Sequence, residues 1–177
     1  MTPRHQQEIA IRSLTCDDLP AALRIQFDSY PPFLCEDEAA FASRLHVASS
    51  YCLAATRNDA VVGYLLAHGW AAQSPPPIGT QLPHTAPREV LFIHDLAIGA
   101  GGRGLGLGRK LVARAFDLAL ADGLKIAELI AVRDAGSYWQ TLGFSDAIAS
   151  SSLQAKVAAY GPEARWMTKF IEEIGSR

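Results

Sequence analysis

Residues 98–110 read Ile-Gly-Ala-Gly-Gly-Arg-Gly-Leu-Gly-Leu-Gly-Arg-Lys and hold six of the fourteen glycines in a chain of 177 residues. An apolar run, Val90–Ile98, leads into this stretch, and an amphipathic run, Gly106–Asp122, leaves it. Glycine takes positive φ at little cost and lets a ligand approach the backbone closely. The first N–H groups of a helix have no intrahelical partners and sit at its positive dipole end. Strand, glycine-rich turn and helix start together form a cradle for a phosphate or pyrophosphate, and Arg103 and Arg109 add positive charge. The plain alternative is a structural turn. Against it, each glycine costs backbone entropy unless its conformation is used.

The turn fits neither of two nucleotide motifs. A P-loop needs Gly-x-x-x-x-Gly-Lys-Ser/Thr. Here Gly108 is followed by Arg109, Lys110 and Leu111, so the lysine is displaced and no hydroxyl follows. A dinucleotide fold needs Gly-x-Gly-x-x-Gly. Gly106-x-Gly108-x-x-Leu111 lacks the third glycine and lies deep in the chain.

The elements that would position the turn follow from periodicity. Glu8–Leu14 alternates as an edge strand does. Thr15-x-x-Asp18 starts a helix continued by Leu19, Leu23 and Phe27 and ended by Tyr30-Pro-Pro32. Glu36–Ser49 reads as a second helix, with Ala40, Phe41, Leu45 and Val47 apolar. Tyr51–Arg57 and Ala60–His68 are two β-rich runs, and Asn58-Asp59 between them is a hairpin signal. Gly69–Arg88 holds five prolines and reads as a long loop. Val90–Ile98 is the most apolar strand and is expected to be central. Gly106–Asp122 is a helix closed by Gly123, Lys125–Val132 a strand, and Ala135–Leu142 a short helix capped by Gly143. A helical piece around Leu153–Ala159 and a strand near Arg165–Phe170 complete the pattern. This order predicts an α/β (α+β) fold: a mixed sheet with helices on both faces, in a single domain over residues 1–177.

Composition bounds the function. The chain is 49% hydrophobic and 19% charged, with a formal charge of −2, which offers no general surface for nucleic acid. No apolar run approaches the length of a membrane span, and the first residues, Met-Thr-Pro-Arg-His-Gln-Gln-Glu, lack the apolar core of a leader. Cys16, Cys35 and Cys52 are odd in number and widely spaced, as expected of reduced thiols in a cytoplasmic protein. With no Cys-x-x-Cys and no paired histidine spacing, no metal is expected.

His94-Asp-Leu-Ala-Ile98, followed by Arg103-Gly-Leu-Gly-Leu-Gly108 and Lys110-Leu111, resembles the acyl-CoA signature of the GNAT superfamily of N-acyltransferases. Tyr138-Trp-Gln-Thr-Leu-Gly-Phe144 resembles that family's Phe-Tyr-x-x-x-Gly-Phe helix. The Asp17-Asp-Leu-Pro20 helix start and the Val61-Val-Gly-Tyr64 strand also fit, so the likeness runs over residues 8–145. It implies a three-layer α/β/α fold whose mostly antiparallel sheet splays at the acyl-CoA site. It also implies acetyl-CoA as cosubstrate and a primary amine as acceptor, carried by a small molecule or a peptide. A non-catalytic acyl-CoA-binding module of the same fold is the alternative, and a homodimer is left open.

The resemblance assigns roles by position. Backbone groups of Leu96, Ala97 and Ile98 line the pantetheine strand, and the Leu96 N–H is the expected oxyanion donor, worth about 3 kcal/mol in such sites. Amides of Arg103, Gly104, Leu105, Gly106, Leu107, Gly108 and Arg109 hold the pyrophosphate. His94 occupies the place of the family's base, and histidine titrates near neutral pH; a structural histidine is the alternative. Alternation puts Asp95 on the opposite face, unless a bulge relaxes it. Asp95 contacts a cationic substrate, orients His94, or is structural. The family's acid, a tyrosine, is replaced by Trp139, which cannot protonate a thiolate. Tyr138 is adjacent but turned by about 100°, and is either an acid or a core aromatic. Ser137 either stands in for the family's missing asparagine as a hydrogen-bond donor or is a solvated serine at a helix start. Tyr30, Glu36, Trp70 and Tyr160 are the candidates for the acceptor pocket, each otherwise packing or surface.

Overall fold

The structure is a computed structural model that describes residues 8–171. The leader reading concerns residues 1–8, of which 1–7 lie outside the described residues. Seven strands form one sheet: β1 (Ile9–Ser13), β2 (Leu53–Arg57), β3 (Ala60–Trp70), β4 (Val90–Ile98), β5 (Ile126–Ala131), β6 (Ser145–Asp146) and β7 (Arg165–Phe170). Their spatial order is β1-β2-β3-β4-β5-β7-β6, and every pair is antiparallel except β4–β5. The most apolar strand, β4, is the central one, as its sequence implies. Five helices flank the sheet: α1 (Leu19–Ser29), α2 (Glu38–His46), α3 (Leu107–Ala121), α4 (Gly136–Thr141) and α5 (Ser151–Ala158).

The core has two faces. Leu65, Ala67, Leu91, Ile93, Leu111, Ala115, Trp139 and Phe144 pack together on the α3 and α4 side. Leu19, Ala22, Ile25, Phe41, Tyr64, Leu66 and Ala97 pack on the α1 and α2 side, and Leu153 and Val157 of α5 cover Phe92 and Trp166 beside them. The result is three layers around a mixed sheet. No helix among the described residues is long and apolar enough to cross a membrane.

Local chemistry explains the boundaries. Thr15 and Asp18 form the capping box before α1, and Asp18 also takes two hydrogen bonds from Arg12, at 2.7 and 2.9 Å. Asn58 and Asp59 both have positive φ, 49° and 66°, as a type I′ hairpin requires. Three sequence readings need correction. The buried stripe of α1 runs through Leu19, Ala22 and Ile25, and Phe27 is 64% exposed. The second helix is shorter than Glu36–Ser49, because Asp37 caps its start by accepting the Ala40 N–H at 2.8 Å and leaves Glu36 outside. Strand β3 runs on to Trp70, so the proline-rich loop spans residues 71–89.

Candidate active site

Strands β4 and β5 pair only at Leu91–Ala127, Phe92–Glu128 and Ile93–Leu129, then part. Strand β4 stays paired with β3 along its whole length, and Gly99 donates its N–H to Val62 O at 2.8 Å. Backbone groups alternate along a strand. Leu96 and Ile98 therefore direct theirs to the edge that β5 has left. The Leu96 carbonyl on that edge already accepts the Tyr30 hydroxyl at 2.7 Å.

The open edge leads to the glycine turn. Gly104 and Gly106 have φ of 77° and 67°, with open space where a Cβ would stand. Gly106 is the N-cap of α3, and the first amide to reach an intrahelical carbonyl is that of Lys110, on Gly106 O at 3.2 Å. In the turn before it, the Gly102 and Arg103 amides bond Gly99 O at 3.0 Å and Ala100 O at 3.5 Å, and the amides that follow them are free to hold an anion. The side chains here diverge: Leu107 is core, whereas Arg103 and Arg109 are exposed.

A bulge breaks the alternation of β4. Leu66 pairs with Asp95 and Ala67 with Ile93, which leaves His94 as the extra residue. The consequence is visible in the contacts. The His94 ring lies tilted beside those of Phe92 and His68, and Asp95 meets Tyr64 of the α1–α2 core, so both side chains lie on one face. Together they line a cavity of about 200 Å³ with Gln26, Tyr30, Glu36 and Tyr160. Trp139 closes it from the α4 side, 5.4 Å edge-on to Phe144.

Glu36 is 4% exposed and is the most heavily bonded of these groups. Its backbone N–H and C=O are both held by the Gln26 amide, at 3.1 and 2.9 Å. Its Oε1 accepts from Arg44 at 2.6 Å and from the Gly79 N–H at 2.9 Å, and its Oε2 lies 3.1 Å from His94 Nε2. Burial acts to raise the Glu36 carboxyl. The charges and bonds of His94 and Arg44 outweigh it and hold the carboxyl below its usual value. Asp95 differs. Burial raises its carboxyl despite the Tyr30 and Tyr64 hydroxyls, the latter donating at 2.5 Å.

The remaining candidates sit elsewhere. The hydroxyl of Tyr138 lies over α3, where a Cβ on Gly108 would collide with it, and is not among the cavity-lining groups. Its neighbour Trp139 takes the inward direction, as the helical step dictates. The Trp70 indole N–H donates to Ser74 O at 2.7 Å and its ring packs on His68, away from the cavity. Ser137 is exposed and bonds Asp134 O at 3.4 Å. Tyr160 lines the cavity and ties down the 71–89 loop through its hydroxyl, which donates to Pro76 O at 2.7 Å. Two residues have a part that sequence reading did not assign: Arg44, fully buried behind Glu36, and His68, whose buried Nε2 has no partner. Arg44 had a visible signal, since it falls on the apolar stripe of α2 with Ala40 and Phe41. His68 had none.

Residues 13–144, well over half of the chain, match the family model described as the Acetyltransferase (GNAT) family. The chain belongs to the GNAT acetyltransferase family. No curated protein sequence matches this GNAT chain. Among solved structures, Ard1 from Thermoplasma volcanium is 16% identical, with a TM-score of 0.69 over 93% of this chain and 99% of that one. The ribosomal-protein-S18-alanine N-acetyltransferase from Escherichia coli is 18% identical, with a TM-score of 0.67 over 96% and 98%. Arabidopsis thaliana Naa50, in complex with the bisubstrate analogue CoA-Ac-MVNAL, is 14% identical, with a TM-score of 0.64 over 91% and 97%. These likenesses show that the GNAT fold is shared.

Proposed function

We propose that this chain is a single-domain N-acetyltransferase that moves the acetyl group of acetyl-CoA to a primary amine by direct attack in a ternary complex. The observation that carries this reading is the open edge of β4, which runs from the glycine cradle to the cavity where His94 and Asp95 stand together. The coenzyme moiety named in the Naa50 complex supports the choice of donor.

Bound acetyl-CoA supplies an acetyl group activated as a thioester. The amides of Arg103–Arg109 hold its pyrophosphate, and the outward backbone groups of Leu96 and Ile98 pair with its pantetheine arm. Trp139 packs against that arm and excludes water. His94 takes a proton from the attacking amine, which must be neutral to react. The Leu96 N–H faces the oxygen on which negative charge develops. Asp95, shielded by two tyrosines, receives the acceptor's ammonium before deprotonation. No cysteine lines the cavity, so a cysteine-bound acetyl group has no nucleophile there. A thiol leaves tolerably as its thiolate at a pKa of about 8.5, so water suffices where Trp139 replaces an acid.

The replacement at Trp139 also favours a second reading, an acyl-CoA-binding module without turnover. A panel of small-molecule and peptide amines, assayed by release of free thiol from acetyl-CoA, separates the two. Turnover with at least one amine is expected, and His94→Ala should lower kcat by about 10²-fold or more while acetyl-CoA affinity holds. Tight acetyl-CoA binding with no thiol release from any amine would favour the binding module.

A further inference from the structure

Water is a sufficient partner for the departing sulfur, but the structure offers a fixed one. We infer that the Tyr30 hydroxyl donates a hydrogen bond to the sulfur of the leaving CoA thiolate, in the role that Trp139 cannot fill. This inference rests on the reading of the site as one for acetyl-CoA.

Placement comes first. A strand residue directs its N–H and C=O to one edge. The Leu96 N–H, assigned to the thioester oxygen, and the Leu96 carbonyl therefore lie side by side on the edge that β5 has left. The Tyr30 hydroxyl is 2.7 Å from that carbonyl, and the side chain lines the cavity with His94, Leu96 and Trp139. Among the described residues no other tyrosine hydroxyl is so placed. That of Tyr160 is held by Pro76 O, those of Tyr64 and Tyr51 by Asp95 and Asp122, and that of Tyr138 lies over α3.

The present partner of the hydroxyl is exchangeable. A phenol has one O–H to donate, whereas a carbonyl has two lone pairs. Leu96 O is also a group assigned to the pantetheine arm. Once an amide N–H of the arm bonds that carbonyl, the Tyr30 proton is free to turn to the sulfur. Asp95 is the competing acceptor, and in the ternary complex it is engaged by the ammonium of the incoming amine. In the transfer the N–C bond forms, the C–S bond breaks and the sulfur leaves with the electron pair. The proton shed by nitrogen goes to His94. Tyr30 keeps its own, because burial and the Asp95 charge hold the phenol well above its ordinary value. It stays a donor throughout the range in which a thiol of pKa about 8.5 ionises.

The chain around Tyr30 is held at both ends. Its N–H bonds Gln26 O at 3.0 Å as the C-cap of α1, and Pro31 and Pro32 follow. Six residues on, the Gln26 amide holds the Glu36 backbone from both sides, and fully buried Arg44 holds the Glu36 carboxylate at 2.6 Å. A buried ion pair contributes little net stability, because desolvation offsets its attraction. Its use here is to position residues 30–36, and with them the hydroxyl.

The test titrates the thiol of bound CoA by thiolate ultraviolet absorbance, in wild type and in Tyr30→Phe. A hydrogen bond to a charged sulfur holds its thiol pKa down by about one unit. Tyr30→Phe should raise the pKa by that amount, with CoA affinity unchanged at a pH where the thiol is neutral. Equal pKa values in the two proteins would overturn the inference. A second reading needs no variant. In wild-type protein labelled with carbon-13 at tyrosine Cζ, the Tyr30 signal should shift with the pKa of the bound thiol and lose that step when desulfo-CoA replaces CoA. A Tyr30 signal indifferent to the thiol would also overturn the inference. Neither measurement needs turnover. With an amine that is acetylated, Tyr30→Phe should lower kcat about tenfold, with KM for acetyl-CoA near wild type, and an unchanged kcat would count against the role. A chain that acetylates no amine removes the transfer reading and still leaves the thiol titration to decide the contact.

Discussion

The coenzyme side of the site, the open edge of β4 and the glycine turn it leads to, offers backbone, whereas the far wall of the cavity, formed by the end of α1, residues 30–36, the 71–89 loop and Tyr160, is made of side chains. On the first wall the useful groups are amides, exposed because β5 parts from β4 after Ile93 and because a helix start has no carbonyls to offer. In the turn the side chains of Arg103, Leu105 and Arg109 are exposed, and what the cradle requires is glycine where φ is positive. On the second wall, Arg44 bonds Glu36, the Gly79 N–H bonds Glu36 from the 71–89 loop, and Tyr160 bonds Pro76 O of that loop, so segments far apart are joined by polar bonds. The difference is one of tolerance. A backbone wall fails when bulk or charge enters it; a side-chain wall fails when a single donor or acceptor is lost.

Three changes sharpen or break that contrast, in descending order of expected effect. Trp139 joins the walls, is 7% exposed and packs on Phe144. Trp139→Ala should lower stability by about 3–5 kcal/mol, read as a shift of the denaturant midpoint, and should weaken acetyl-CoA binding. Trp139→Phe should keep most turnover. Loss of turnover with affinity intact would make the indole N–H a participant rather than packing.

Gly106→Glu comes next. It forces a side chain into a backbone at φ 67° and sets a negative charge at the dipole end of α3. Calorimetry should show acetyl-CoA affinity lowered by roughly 100-fold. Unchanged affinity would mean that the cradle is only a turn.

The smallest effect belongs to a carboxylate–arginine pair outside the cavity. The hydrogen bonds from Arg12, together with those of Thr15, hold the Asp18 carboxyl down at about 2 against the opposing effect of burial. A carboxyl depressed in the folded state adds stability above its unfolded pKa and loses it as pH falls. Asp18→Asn should cost about 1–2 kcal/mol at neutral pH, allowing for solvent at Arg12. The cost should shrink between about pH 4 and pH 2. Since this pair is remote from the cavity, kcat should not change. A change in kcat would break the division between structural and positioning ion pairs.

Much of this was legible in the chain because it is local. Thr15-x-x-Asp18 implied a capping box, Asn58-Asp59 a hairpin, and the Val90–Ile98 run a central strand; each depends on neighbours a few residues away. Periodicity overextends α2 because Glu36 and Asp37 look alike as helix starters, and only packing shows that Asp37 caps the helix while Glu36 is buried. Phe27 was placed on the inner face of α1, since spacing alone does not tell which apolar residue faces solvent. The bulge at His94 was foreseen only as a possibility of the family pattern. Its place depends on the register between β3 and β4, which no short window contains.

By itself the sequence determined the order of elements, the glycine-rich helix start after the central strand, and the family to which the chain belongs. Those are consequences of periodicity, of glycine's access to positive φ, and of motif spacing. Tertiary structure alone decided that His94 and Asp95 share a face, that Trp139 turns inward while Tyr138 turns out, and that Arg44 stands behind Glu36. The physical reason is that a buried polar group must find its partner wherever the fold brings one. Glu36 finds His94, 58 positions further along the chain, only after α2, β3 and β4 have packed.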